Sequence, residues 1–242
     1  MHILGINTLV YQSQLSQERR QSTLVNEIAR LVTLVEVRRE FIRDQVELKA
    51  IHDAVEQHHM QLFYSVPESI AMNGSAHPQL ETFLEEASAM GAARVKFNQG
   101  DIKDCSAEVI ADIDAKAAER KLALTIENDQ TPENGTLDET TQALARLRDC
   151  GSRIGYTFDL GNWFWQGGDP VAAFEALSSY ITDFHLKNIS GPVDPETTML
   201  EDGVIPWRQL VAKLPDSTPV LLEFPIAPEQ VSGQVDIAKR GI

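Results

Sequence analysis

Short apolar, β-branched runs return along the chain, starting near Ile3, Leu34, Met60, Ala93, Leu122, Ile154, Ile181 and Pro219. Each reads as a strand. Between them the period of the apolar positions changes. Leu24, Ile28, Leu31 and Val32 in the first interval, and Leu80, Phe83, Leu84 and Ala87 in the third, recur at i, i+3 or i+4, i+7 with polar residues on the opposite side, which is the pattern of a helix with one buried face. Helix starts are marked chemically: "TLDE" from Thr136 to Glu139 fits a capping box, and Asp169 followed by Pro170 offers an N-cap and a proline at the first helical position. Eight strands alternating with helices imply parallel strands joined by crossovers, closing into an α/β fold, a single-domain (β/α)8 TIM barrel over residues 1–242. The final unit is short, so a shortened last helix is expected. A doubly wound open sheet would carry a Gly-rich phosphate loop after its first strand, and "GINTLVYQ" there contains no GxGxxG.

With 43% hydrophobic residues in 242, the chain can bury one large core. Asp plus Glu outnumber Lys plus Arg by 36 to 21, a formal charge of −15, and no basic run offsets this locally. Such a surface argues against nucleic acid and anionic membrane as partners. "MHILGINTLVYQ" lacks a basic region and a small-residue cleavage pattern, and no apolar run reaches membrane-spanning length, so a soluble, cytoplasmic protein is expected. Cys105 and Cys150 lack CxxC spacing and read as free thiols. His58 and His59 precede the third strand, at the end of the barrel away from the mouth, and read as surface residues.

Four of the strand-like runs finish on a metal-ligand type: "LALTIE" on Glu127, "IGYTFD" on Asp159, "ITDFH" on His185 and "VLLE" on Glu223. In a (β/α)8 barrel the C-terminal strand ends converge on one face, so the ends of strands 5 to 8 lie side by side although Glu127 and Glu223 are 96 residues apart. Two Glu, one Asp and one His form an oxygen-rich donor set with one imidazole, suited to one divalent ion, Mn²⁺ or Mg²⁺, with Co²⁺ or Zn²⁺ as alternatives. A strand-end Glu by itself is a common rim charge, and a lone His is commonly a hydrogen-bonded structural residue; the conjunction at one depth carries the reading. Three carboxylates left together without a cation would repel one another.

The stretches "TIEN", "TFDLGN", "FHLKN" and "LLEF" resemble, in order and spacing, those of the xylose isomerase-like barrels of the sugar phosphate isomerase/epimerase group, which includes ketose 3-epimerases, hydroxypyruvate isomerases and inosose dehydratases. The resemblance extends over nearly the whole chain. It implies that Glu127, Asp159, His185 and Glu223 hold the metal and that the two glutamates also form an acid/base pair on either side of the substrate. Glu133, six residues after Glu127, stands where epimerase-like relatives place a substrate-binding carboxylate. Two departures are visible. Asn162 stands where many members have a histidine, and the arginine that ketose epimerases carry after the His ligand is missing from "HLKNISG".

Around the rest of the mouth, Glu36 and Arg38 end strand 2, Tyr64 and Ser65 end strand 3, and Lys96 and Asn98 end strand 4. Arg38 and Lys96 either pair with Glu36 or another rim carboxylate, or bind hydroxyl, carboxylate or phosphate groups of a substrate whose other end chelates the metal. Asn162 and Lys187 join these as expected substrate contacts. In "NWFWQGG", Trp163, Phe164 and Trp165 either anchor the loop in the core or stack on a sugar ring.

The expected reaction is isomerisation or epimerisation of a small carbohydrate or related hydroxy-carbonyl compound through a metal-bound enediolate, with one glutamate removing a proton and the other returning it. A dehydratase acting on a polyol-derived ketone and a non-catalytic sugar-binding barrel are the alternatives. An endonuclease-type relative would need more ligands and a basic face. The 19 residues from Asn188 to Pro206 exceed the usual crossover and are expected to form a mobile lid over the site.

Overall fold

The computed structural model describes residues 2–242, and its eight barrel strands begin within one residue of the positions the apolar runs mark. They are β1 (Leu4–Asn7), β2 (Leu34–Arg38), β3 (Gln61–Ser69), β4 (Arg94–Asn98), β5 (Ala123–Glu127), β6 (Gly155–Asp159), β7 (Ile181–Leu186) and β8 (Val220–Leu222). All eight pair in parallel, and β8 returns to β1 to close the barrel, with Leu4 opposite Val220 and Ile6 opposite Leu222. Closure leaves no sheet edge to protect.

The outer ring is formed by α1 (Gln21–Ile28), α2 (Gln45–Gln57), α3 (Leu80–Met90), α4 (Ala107–Glu119), α5 (Leu137–Asp149), α6 (Pro170–Leu177), α7 (Trp207–Val211) and α8 (Val231–Lys239). Their starts follow local chemistry. Thr136 accepts from the amide of Glu139, and Asp169 accepts from the amides of Val171 and Ala172 with Pro170 at the first helical position. The last helix has nine residues against thirteen in α2, α4 and α5, as the short final unit implies; the shortest is α7, with five. No helix among the described residues is long and apolar enough to cross a membrane.

Strand alternation divides the side chains. Val35, Val37, Val95, Phe97, Ile126, Phe158 and Phe184 are buried in the main core with the helices, whereas Leu34, Phe63 and Leu221 form a separate small cluster on the barrel axis. A Cβ at Gly5 would come within 2.7 Å of Leu34 Cγ, so the glycine clears room for that floor. Just above it, Arg94 lies over the Phe63 ring, 4.8 Å from its centroid, and pairs with buried Asp183.

Asn188 to Pro206 is folded rather than open. Asn188–Ile189 pairs with Thr197–Thr198 as a small antiparallel ribbon, the Asn188 amide donates to the carbonyls of Leu200 and Ile205, and the Trp207 indole donates to the Leu200 carbonyl. Leu200 and Ile205 are buried, whereas the tip around Val193 and the turn holding Glu201, Asp202 and Val204 are exposed. The expectation of a lid over the whole segment is therefore corrected to a pinned loop with an exposed tip, because the buried Asn188 supplies hydrogen bonds that the sequence could not assign.

Candidate active site

Glu127 and Asp159 end β5 and β6, His185 is the next-to-last residue of β7, and Glu223 directly follows β8. Asp159 stands opposite His185 in the ladder, and Asn98 opposite Glu127. The inward period of two then sets the depth: Asp183 and His185 rise along the axis from β7, and Lys187 follows just past its end. Ligand-type atoms of Glu127, Asp159 and His185 lie within 4.8 Å of one another, and all three side chains are buried.

Each carboxylate also has a cationic neighbour. Lys96 Nζ is 2.5 Å from Glu127 Oε2, Arg38 Nη1 is 2.6 Å from Glu223 Oε1, and Lys187 Nζ lies between Asp159 Oδ2 at 2.7 Å and Glu223 Oε2 at 2.8 Å. The imidazole of His185 sits between Glu127, 2.7 Å from Nδ1, and Glu36, 2.9 Å from Nε2. Four carboxylates thus face Arg38, Lys96, Lys187 and an imidazole. The acids therefore do not stand unbalanced without a metal, contrary to the expectation from their charges alone, since Arg38 of β2, Lys96 of β4 and Lys187 just after β7 supply counter-charges.

Burial alone would raise both glutamates. For Glu127, Lys96 and His185 outweigh it and hold the carboxyl below the usual range; for Glu223, Lys187, Arg38 and His185 hold it at about 2. Asp159 is different: burial dominates, Lys187 offsets only part of it, and the charges of Glu223 and Glu127 push the same way, so it sits at about 6. It shares Lys187 with Glu223 but has no counterpart to Arg38. Burial opposes the charge on His185, yet Glu36 and Glu127 raise it well above the ordinary histidine range.

Glu127 Oε1, both ring nitrogens of His185 and Glu223 Oε2 are buried and make no hydrogen bond; the close contacts of the imidazole are misaligned for one. Their ion-pair neighbours offset the charge without completing an aligned hydrogen bond. All four belong to the donor set read from the strand ends, so these residues fit a divalent cation, and the buried Glu127, Asp159 and His185 triad could hold one.

Three expected substrate contacts are corrected. Tyr64 points into the helix layer and donates to Glu86 of α3, because its neighbour Ser65 takes the inward position. Trp163 is fully buried, its ring 5.6 Å from that of Phe158, so it anchors the loop and has no face for a sugar. Glu36 is buried two residues below the strand end, 2.9 Å from His185 Nε2 and accepting from the Asn7 side-chain amide at 2.6 Å. Arg38 and Lys96 make the rim pairs already described, with Arg38 also on Glu40 at 2.6 Å. Asn162 is tied through Nδ2 to the Asn128 carbonyl, and its Oδ1 lies 3.4 Å from Lys187 Nζ. Asn98 donates to Asp129, and Glu133 is exposed on the loop after β5, lining a cleft of about 680 Å³ beside the mouth with Asp101, Lys103 and Asn134. None of the eight charged groups lines that cleft.

Two residues escaped the sequence reading. Asn7 ends β1 and holds Glu36, and Asn128 both accepts from the Asp159 amide and donates to the Asp159 carbonyl. Their signal was the same one that marked the acids, a polar residue closing an apolar run.

Residues 38–240 match the family model described as xylose isomerase-like TIM barrel. Solved structures with the same fold include the probable 3-DHS dehydratase AsbF of Bacillus anthracis, described as involved in petrobactin synthesis, at 14% identity and a TM-score of 0.73 over 99% of both chains. They include an IolI protein with a bound zinc atom, at 14% identity and 0.71 over 99% of this chain and 96% of that one. An L-ribulose 3-epimerase follows at 17% identity and 0.66, over 98% and 86%. No curated protein matches the chain by sequence.

Proposed function

Because the chain belongs to the xylose isomerase-like TIM barrel family, we propose that it is a divalent-metal-dependent isomerase or epimerase of a small sugar, sugar phosphate or related hydroxy-carbonyl compound. The observation that carries this is the convergence of Glu127, Asp159 and His185 ligand atoms within 4.8 Å, with Glu223 across Lys187 from Asp159. These four residues would hold the ion. A bound divalent cation supplies Lewis-acid polarisation of a carbonyl oxygen, which acidifies the neighbouring C–H; Mn²⁺ or Mg²⁺ suits the donors, with Co²⁺ or Zn²⁺ as alternatives.

The chain's own residues divide the remaining work. Glu127 beside Lys96 and Glu223 beside Arg38 would act as the proton acceptors. Glu36 lies 2.9 Å from His185 Nε2 on the side away from Glu127, and as a counter-charge there it would favour the ring orientation with Nδ1 toward Glu127, a role common behind metal-bound histidines. Asn98, Asn162 and Glu133 offer polar atoms at the rim for hydroxyl groups.

A carboxylate that has taken a proton can return it to the adjacent carbon or pass it to a departing hydroxyl. Inversion at one carbon needs a second group that starts protonated. Proton return to the neighbouring carbon gives 1,2-isomerisation, return from the second glutamate gives inversion, and dehydration is the second reading.

The test joins metal analysis to isotope exchange. After incubation with each of the four cations and dialysis, the wild type should retain one equivalent and Asp159→Asn much less. The loaded enzyme should then wash deuterium from solvent into a ketose, aldose or sugar-acid substrate, and product analysis separates isomer from dehydrated product. A wild type that retains no metal, or a loaded protein that exchanges no substrate proton, would sink the proposal.

A further inference from the structure

Lys187 occupies a position that a surface-directed lysine has no reason to take. Its side chain is only 9% exposed, and its Nζ lies 2.7 Å from Asp159, 2.8 Å from Glu223 and 3.4 Å from Asn162 Oδ1. Two of these three partners belong to the ligand set. The path for the side chain is also built: a Cβ at Gly161 would come within 2.5 Å of Lys187 Cγ and 2.6 Å of its Cδ, so the glycine leaves a channel for the stem.

An ammonium and a divalent cation cannot both sit between the same two carboxylates. Like charges at such separation repel strongly in a buried site. Without any cation, Asp159 and Glu223 would face each other unshielded, with only Arg38 to compensate the latter.

We propose that the Lys187 ammonium is a resident counter-ion for Asp159 and Glu223, which holds the empty ligand set together and must leave it when the metal enters, so that metal uptake is an exchange of cations. This rests on the metal reading above. It makes Lys187 a residue that sets metal affinity rather than a plain rim contact. It also means that loading the site adds two positive charges while freeing a third beside it, which suits a substrate that enters as an anion or becomes one during reaction.

Isothermal titration with Mn²⁺ alone, after chelator treatment, tests this on the full chain. Lys187→Met and Lys187→Gln should bind Mn²⁺ at least about tenfold more tightly than wild type, whereas Lys187→Arg should not. Gly161→Ala, which keeps the lysine but closes its channel, should also tighten binding. In chelator the neutral variants should melt lower than wild type, and Mn²⁺ should raise their melting temperature by more; a neutral variant that folds only with Mn²⁺ supports the exchange equally. The exposed Lys213→Met is the control and should change neither. Equal Mn²⁺ affinity in wild type, Lys187→Met and Gly161→Ala overturns the exchange while leaving the metal site standing. No Mn²⁺ binding in any of them, folded, removes the metal reading itself.

Discussion

Two buried ion-pair arrangements lie on the same barrel axis, and they are built differently. At the floor, Arg94 and Asp183 pair one to one, with the guanidinium also over the Phe63 ring and Leu34 and Leu221 in the adjoining cluster. Neither side chain leaves a buried polar atom unsatisfied. At the mouth, four carboxylates share three cations and one imidazole, and Glu127, His185 and Glu223 each keep buried atoms without a hydrogen bond. The floor is complete as it stands, while the mouth holds polar atoms in readiness for another group. This is the division of labour of the fold, in which the N-terminal end of the strands stabilises and the C-terminal end reacts.

The sharpest way to break that contrast is at the two glutamates. Glu127→Gln and Glu223→Gln should each lower solvent deuterium exchange into substrate by about 10²–10⁴-fold, the usual contribution of a general acid or base. Exchange left at the wild-type rate in either variant takes that residue out of the mechanism.

At the floor the expected loss is in stability. Arg94→Met leaves Asp183 buried without its partner, so denaturant unfolding should show a loss of about 3–5 kcal/mol, with metal binding at the mouth retained. If metal binding falls along with stability, the two clusters are one unit and the contrast fails.

Glu36 joins the two levels, since it stands under His185 and also takes the Asn7 amide. Glu36→Gln is expected to weaken metal binding by about 10–100-fold through the orientation of His185, with Asn7→Ala smaller in the same direction. A titration in which Glu36→Gln binds as the wild type does would return Glu36 to a purely structural role.

The smallest effect concerns the loop after β7. Its ends are pinned by Asn188 and Trp207, so limited proteolysis should cut first near Val193, the most exposed apolar residue of the loop, and cleavage there should leave metal affinity unchanged. Cuts around Leu200 or Ile205 in the folded protein would restore the larger lid.

The strand starts, the helix caps at Thr136 and Asp169 and the barrel closure were legible because each depends on residues near in sequence: an apolar run, a capping side chain, an alternation of periods. The four strand-end residues were legible for the same reason, since closure of the barrel sends every strand end to one face. Which neighbour a side chain meets across that face was not. Ser65 rather than Tyr64 turns inward by the parity of β3, a shift of one residue that no apolar pattern settles, and Trp163 is claimed by a core that only forms when β6 packs against its helices. The counter-charges were least legible of all. Arg38 meets Glu223 across 185 residues of chain, and Lys96 meets Glu127 across 31. Sequence fixes which charges reach the mouth, but their pairing is chosen by the circular order of the strands and by the cost of burying any charge alone, and both exist only once the barrel has closed.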